Sequence, residues 1–62
     1  MKETKEEHFR RVAEARVNKI INMVRLLGNC SQTGAYAYTH DQVAYIFSAL
    51  QSELDKARMR YQ

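Results

Sequence analysis

A chain of 62 residues has room for one domain and only a small core. Domains of this size usually need disulfides, a bound metal or self-association as well. Because Cys30 is the only cysteine, no disulfide can form within the chain. His8, Cys30 and His40 lack the paired spacing of a structural metal site, so no metal or other cofactor is expected. Self-association remains as the expected source of additional stability.

The net charge of +3 arises in the first half of the chain. Residues 1–30 carry seven Lys and Arg against four Glu, whereas residues 31–62 carry three basic and three acidic side chains. A basic excess of this size is compatible with nucleic acid but is weak evidence for it. The first residues are charged, and no apolar run approaches the roughly 18 residues of a membrane span. We therefore expect a cytoplasmic protein without a signal peptide or membrane partner.

The first helix is predicted to begin after Thr4 and to run from about residue 5 to residue 27. Thr4 and Glu7 have the spacing of a capping box, in which each side chain bonds the backbone N–H of the other residue. Gly28 is a typical left-handed end for a helix. Helical spacing places one apolar stripe between these signals: Phe9, Ala13, Val17, Ile20, Val24 and Leu27, with Ile21 at its edge.

A second apolar set lies beside that stripe and consists of Val12, Met23 and Leu26. Together the two sets make an apolar arc wider than one neighbouring helix requires. We interpret this width as contact with both the second helix and a second subunit. The alternative is that the extra residues are incidental apolar surface.

The second helix is predicted from about residue 40 to residue 60, after a loop over residues 28–38. Thr39 and Gln42 form another capping box, and Tyr38 and Val43 have the spacing of a hydrophobic staple. Its apolar stripe comprises Val43, Ile46, Phe47, Leu50, Leu54, Ala57 and Tyr61. The sequence thus predicts an all-α, single-domain helical hairpin over residues 1–62. It is expected to dimerise into an antiparallel four-helix bundle.

Two surfaces are candidates for binding a ligand. The outer face of the first helix carries side chains with donors suited to phosphates and base edges, namely Arg11, Asn18, Asn22 and Arg25. The alternative is a solvated face in which i,i+4 ion pairs occupy the charges, Glu6 with Arg10 and Glu7 with Arg11.

The second candidate surface is aromatic and would bind a protein partner through Tyr36, Tyr38 and Tyr45. Tyr36 and Tyr38 are also candidates for stacking on exposed bases. The alternative for these two is a lid over the end of the bundle, and for Tyr45 an ordinary exposed aromatic.

Enzymatic chemistry is not expected from this chain. His40 and Asp41 are adjacent, and neighbours on a helix point about 100° apart, so they do not form a dyad. The sequence has no combination of Ser, His and Asp at catalytic spacing and no glycine-rich phosphate loop. Cys30 follows a helix end rather than beginning a helix, so its local sequence does not indicate a catalytic thiol.

A set of short motifs is spread over about residues 9–55: Phe9-Arg10-Arg11-Val12-Ala13-Glu14, Arg16, Asn18-Lys19, Arg25-Leu26-Leu27-Gly28-Asn29, Tyr36, Tyr38-Thr39 and Ile46-Phe47-Ser48-Ala49-Leu50. With these motifs the chain resembles short uncharacterised proteins of Gram-positive bacteria, which are often encoded on conjugative or phage-related elements. The resemblance implies a mobile-element or host cytoplasmic context and no specific site. In size and shape alone, the chain also resembles the plasmid RNA-one-modulator protein, a dimeric helical hairpin that binds RNA.

These observations predict a small non-enzymatic binding protein. The first hypothesis is a homodimer that binds DNA or RNA or assists a nucleoprotein complex. The second is a protein-binding adaptor or inhibitor without nucleic-acid contact, and the third is a structural piece of a larger assembly.

Overall fold

The computed structural model describes residues 2–61 and contains two helices in that range. Helix α1 spans Lys5–Asn29 and helix α2 spans His40–Met59. No strand occurs within residues 2–61. The predicted all-α hairpin is therefore confirmed.

Both helices begin at the predicted capping boxes. The Thr4 hydroxyl accepts from the Glu7 N–H at 3.1 Å, and the Glu7 carboxylate accepts from the Thr4 N–H at 3.2 Å. At the second box the Gln42 N–H donates to Thr39 Oγ1 at 3.1 Å, and the Thr39 N–H donates to Gln42 Oε1 at 2.8 Å. Each box satisfies two backbone donors that a helix start otherwise leaves unpaired, which fixes both start positions.

Helix α1 continues two residues beyond its predicted end. The prediction of a left-handed stop at Gly28 was wrong, because none of the described glycines has a positive φ. The helix instead ends at Cys30, whose backbone is right-handed and whose N–H donates to the Leu27 carbonyl at 3.1 Å. An i→i+3 bond of this kind tightens the last turn and satisfies a terminal carbonyl without a left-handed residue.

The loop between the helices is closed by its own hydrogen bonds. The Tyr36 N–H donates to the Gln32 carbonyl at 3.0 Å. The Tyr38 hydroxyl donates to the Ser31 carbonyl, also at 3.0 Å, and so links the two ends of the loop. These bonds close the loop on itself, while the capping box at Thr39 sets the start of α2.

The hairpin is a single open layer. Its Cα atoms span 53 × 24 × 7 Å, and their radius of gyration is 16.4 Å. A compact chain of this length has a radius of gyration of about 10.6 Å. No Cα atom of α1 lies within 8 Å of one in α2 among residues 2–61. The described residues consequently form no buried core.

The two helices approach each other through side chains at both ends of the layer. At the open end, the Phe9 and Tyr61 rings meet edge to face with centroids 6.3 Å apart. At the loop end, Leu27 and Val43 line a common cavity of about 150 Å³, which we call the corner cavity. Contact at the two ends sets the helices in one antiparallel register.

Candidate interface and ligand-binding face

The apolar stripes of both helices are open to solvent along their length. Val17, Ile20 and Val24 on α1 are 49–52% exposed, and Leu50 and Leu54 on α2 are 40% and 55% exposed. Large apolar side chains are normally among the most buried residues of a folded protein. We call this surface the inner face; it comprises Phe9, Ala13, Val17, Ile20, Val24 and Leu27 with Val43, Ile46, Phe47, Leu50, Leu54, Ala57 and Tyr61.

The two stripes match turn for turn. The Phe9 and Tyr61 rings are in contact, which fixes one pair of positions at the same height along the hairpin. Both helices rise 1.5 Å per residue and run in opposite directions. Each step forward along α1 therefore corresponds to one step backward along α2. The same register reaches Leu27 and Val43, which share the corner cavity. The successive levels are Phe9 with Tyr61, Ala13 with Ala57, Val17 with Leu54, Ile20 with Leu50, Val24 with Ile46 and Phe47, and Leu27 with Val43.

The accessible surface of the chain is large for its mass. The structure exposes 6429 Å², whereas a compact protein of 7.3 kDa exposes about 4,200 Å². The excess is about 2,200 Å² of total accessible surface per chain, polar and apolar together. The inner face accounts for part of it, and contiguous exposed apolar patches above a few hundred Å² are rare in monomers.

On the outer face of α1, Arg11 is held by a carboxylate that precedes the helix. Its Nε and Nη2 donate to the two Glu3 carboxylate oxygens at 3.0 and 3.2 Å. The hydrogen bonds from the Arg11 guanidinium lower the pKa of Glu3, and the same bonds raise the pKa of Arg11. His8 Nδ1 also lies 3.4 Å from Glu3.

This arrangement corrects the ion pairs predicted for the outer face. Glu7 does not pair with Arg11, because its carboxylate is used by the capping box with Thr4. Glu6 and Arg10 also do not form an ion pair, since the ion pairs among residues 2–61 involve Glu3 and Glu53 as the acids. Helical spacing alone did not account for an acid outside the helix.

The remaining outer-face residues, Asn18, Asn22 and Arg25, are exposed along the second half of α1. Lys19, to which the sequence assigned no role, is exposed on the same half of the helix. The signal that identifies it is the absence of carboxylates: residues 15–40 contain no Asp or Glu. The nearest acid of α1 is Glu14, which lines an open groove together with Arg11 and Asn18. An anion approaching the last turns of α1 therefore meets Asn22 and Arg25 without an acid of the same helix beside them.

The tyrosines fall into two groups. Tyr38 is bonded to Ser31 and lines the corner cavity beside Val43, which fits the lid interpretation and the predicted staple. Tyr36 is 53% exposed on the loop. Tyr45 lies on the outer side of α2 and is 76% exposed. Tyr38 and Tyr45 line one open groove, and Tyr36 does not line it.

Among residues 2–61, no cluster of three His, Cys, Asp or Glu side chains is placed to hold a metal ion. Cys30 is exposed, and its Sγ lies 3.8 Å from the Leu26 carbonyl. Neither described helix is long and apolar enough to cross a membrane.

Comparison with known proteins adds no relative to this description. No protein-family model matches the chain, and no curated protein or solved structure is significantly similar to it.

Proposed function

We propose that the protein is a non-enzymatic binding protein that acts as a homodimeric four-helix bundle and binds nucleic acid through the outer face of α1. The exposed inner face is the observation that supports a homodimer. The acid-free second half of α1 supports the ligand class. A cytoplasmic role on a mobile element of a Gram-positive bacterium, as the resemblance implies, is compatible with this proposal.

A second copy of the chain is the partner best suited to cover the inner face. A compact dimer of twice this mass exposes about 6,900 Å², so two chains would lose about 6,000 Å² on forming one. Part of that area closes each hairpin and the rest forms the interface. Obligate homodimers bury about 2,000–5,000 Å² or more in total, so the available area is sufficient.

Sedimentation equilibrium across a range of protein concentrations tests the dimer. We expect a mass of twice 7.3 kDa and a thermal midpoint that rises with protein concentration, because association stabilises the folded state by mass action. A monomer that unfolds cooperatively at a midpoint independent of concentration would overturn the proposal.

The nucleic-acid ligand is supported by charge and by the donors on α1. Pairing two chains doubles the net charge of +3. Arg25 lies on the acid-free half of α1 between amide side chains, whereas Arg11 is already bonded to Glu3. Arg25 is therefore the side chain we expect to contribute most to phosphate contact, and Arg11 must exchange a carboxylate for a phosphate.

Fluorescence anisotropy with a labelled duplex DNA and a labelled hairpin RNA, titrated from low to physiological salt, tests this ligand class. Each phosphate contact adds about 0.9 to the slope of log affinity against log salt for duplex DNA. Arg25→Gln removes one such contact per chain, so we expect weaker binding and a slope smaller by about 2 per dimer. Arg58→Gln is the matched control, with the same charge change at the end of α2. Equal effects of the two variants, or no binding at the lowest salt, would contradict the assignment.

A protein partner is the second candidate and rests on the outer side of α2. Tyr45 and Met59 are 76% and 78% exposed, more than any apolar residue of the inner face. An open groove beside Tyr45 is lined by Tyr38, Asp41 and Ile46. A dimer that binds neither the duplex DNA nor the hairpin RNA at low salt would favour this candidate. Tyr45→Ala would then be expected to abolish binding of the protein partner.

A further inference from the structure

We infer that the two copies pack with their loops at opposite ends of the bundle, so that α1 of one chain lies beside α1 of its partner. This inference rests on the proposed homodimer and specifies its geometry. It follows from the sizes of the side chains at successive levels of the inner face.

Two stacking arrangements satisfy two-fold symmetry for a flat two-helix layer. In one, the axis runs along the helices, the loops lie at the same end, and α1 lies over the partner's α2. In the other, the axis runs across the helices, the loops lie at opposite ends, and α1 lies over the partner's α1. Neighbouring helices are antiparallel in both, so helix dipoles do not distinguish them.

When the two loops lie at the same end of the bundle, each level of the inner face packs against the same level of the partner chain. The Phe9–Tyr61 level would then contain four aromatic rings, and the next level, Ala13 with Ala57, would contain four methyl groups. Well-packed cores alternate large and small side chains across facing positions. Four rings in one level overpack the bundle, and four alanines in the next leave a void beside them.

With the loops at opposite ends, large levels meet small ones. The Phe9–Tyr61 pair falls level with the partner's corner cavity of about 150 Å³, and its rings would cover that cavity. The alanine level meets the level that contains Val24, Ile46 and Phe47, whose side chains are all larger than alanine. Each level of the bundle then holds a similar side-chain volume.

Charge opposes this arrangement but is the weaker effect. Helix α1 carries six basic and three acidic side chains, so placing it beside its copy brings like charges together. Those side chains are exposed, and their interaction is screened over about 8 Å at physiological ionic strength. Voids and overpacking in a core are not screened, so packing determines the arrangement.

The arrangement joins the two outer faces of α1 into one surface. With Phe9 level with the partner's Leu27, the symmetry centre lies at Asn18, and Arg11 falls level with the partner's Arg25. The proposed nucleic-acid contacts would then form a continuous two-fold strip rather than two strips on opposite sides of the bundle.

The native cysteine allows this geometry to be measured without changing the sequence. Cys30 is exposed at the loop end of α1 and is the only cysteine, so a nitroxide label attaches there alone. It lies twelve residues from the symmetry centre, so loops at opposite ends separate the two labels by about 36 Å along the bundle. Loops at the same end place them within about two helix diameters, roughly 20 Å. Pulsed electron paramagnetic resonance resolves these distances.

A relocated label supplies the control. In Cys30→Ser combined with Asn18→Cys, the labels sit at the symmetry centre on adjacent helices and should be closer than the Cys30 pair. Loops at the same end reverse that order, because α1 and its copy are then diagonal and Asn18, on the outer face, points away from the bundle axis. A shorter Cys30 distance in a sample that sediments as a dimer would overturn the inference alone. A sample that sediments as a monomer would overturn the proposed homodimer as well.

Discussion

The two faces of α1 differ in what their side chains require. The inner face carries Val17, Ile20 and Val24 at about half exposure, and apolar surface gains free energy when it leaves water. The outer face carries Asn18, Asn22 and Arg25, whose polar groups are already satisfied by solvent. Covering the inner face would therefore lower the free energy of the protein, whereas the outer face gains nothing from burial alone.

The two faces also differ in how narrowly they define what can cover them. Area and side-chain size constrain what covers an apolar face, since both enter directly into the free energy of burial. Exposed Arg and Asn side chains are compatible with phosphate, with a protein partner and with water alone. The following variants test the difference between the two faces.

The largest effect on stability is expected from truncating large side chains of the inner face. Phe47→Ala or Ile20→Ala should lower the free energy of unfolding by about 2–5 kcal/mol, because the proposed dimer would bury these side chains. Chemical denaturation followed by circular dichroism measures this loss. A cost below about 1 kcal/mol would mean that Phe47 and Ile20 stay half-exposed in the native state, which contradicts the covered inner face.

A coupled pair of inner-face variants tests which levels meet. Ala13 and Val24 lie eleven residues apart in one helix, but Ala13 is level with the partner's Val24 when the loops are at opposite ends. Combining Ala13→Val with Val24→Ala conserves volume there, so the double variant should be more stable than the sum of the single effects by about 0.5–3 kcal/mol.

The control is a second cycle in which the mutated alanine is Ala15 instead of Ala13. Ala15 is an exposed alanine on the same helix. Ala15→Val with Val24→Ala should be additive, because distant sites without shared partners are independent. Additivity in both cycles would indicate that the predicted levels do not meet across the dimer.

A smaller effect is expected from substitutions at a helix cap, because the capping hydrogen bonds form within one chain. Thr39→Ala removes the hydroxyl that caps α2 and should cost about 1 kcal/mol, while Thr39→Ser keeps a capping oxygen and should cost less. Thermal unfolding at fixed protein concentration compares the two. Equal losses would show that the methyl group of Thr39, rather than its hydrogen bond, matters at this position.

The smallest effect is expected on the outer face, at Glu3 and Arg11. The guanidinium lowers the pKa of Glu3, so this pairing is present above the ordinary Glu pKa and is lost as pH falls through the lowered pKa. Arg11→Ala should raise the pKa of Glu3 toward its ordinary value, as followed by NMR titration of the side-chain carboxylate. An unchanged titration in the variant would show that Arg11 does not hold Glu3 in solution.

Features that depend on residues three or four positions apart were predictable from the sequence. Both capping boxes and the two apolar stripes follow from the period of the helix and were found where they were expected. The end of α1 was not predictable from Gly28, because glycine permits a left-handed ending without requiring one. The partner of Arg11 was also missed, since Glu3 lies eight residues away and before the helix begins.

The sequence by itself determined where the helices start, which side of each is apolar and where the basic charge lies, because these properties reside in local spacing. Only the tertiary structure set Phe9 level with Tyr61, Ala13 with Ala57 and Leu27 with Val43, because the loop fixes the register between helices. That register arranges side-chain size along the inner face, and side-chain size is what selects how a second copy can pack.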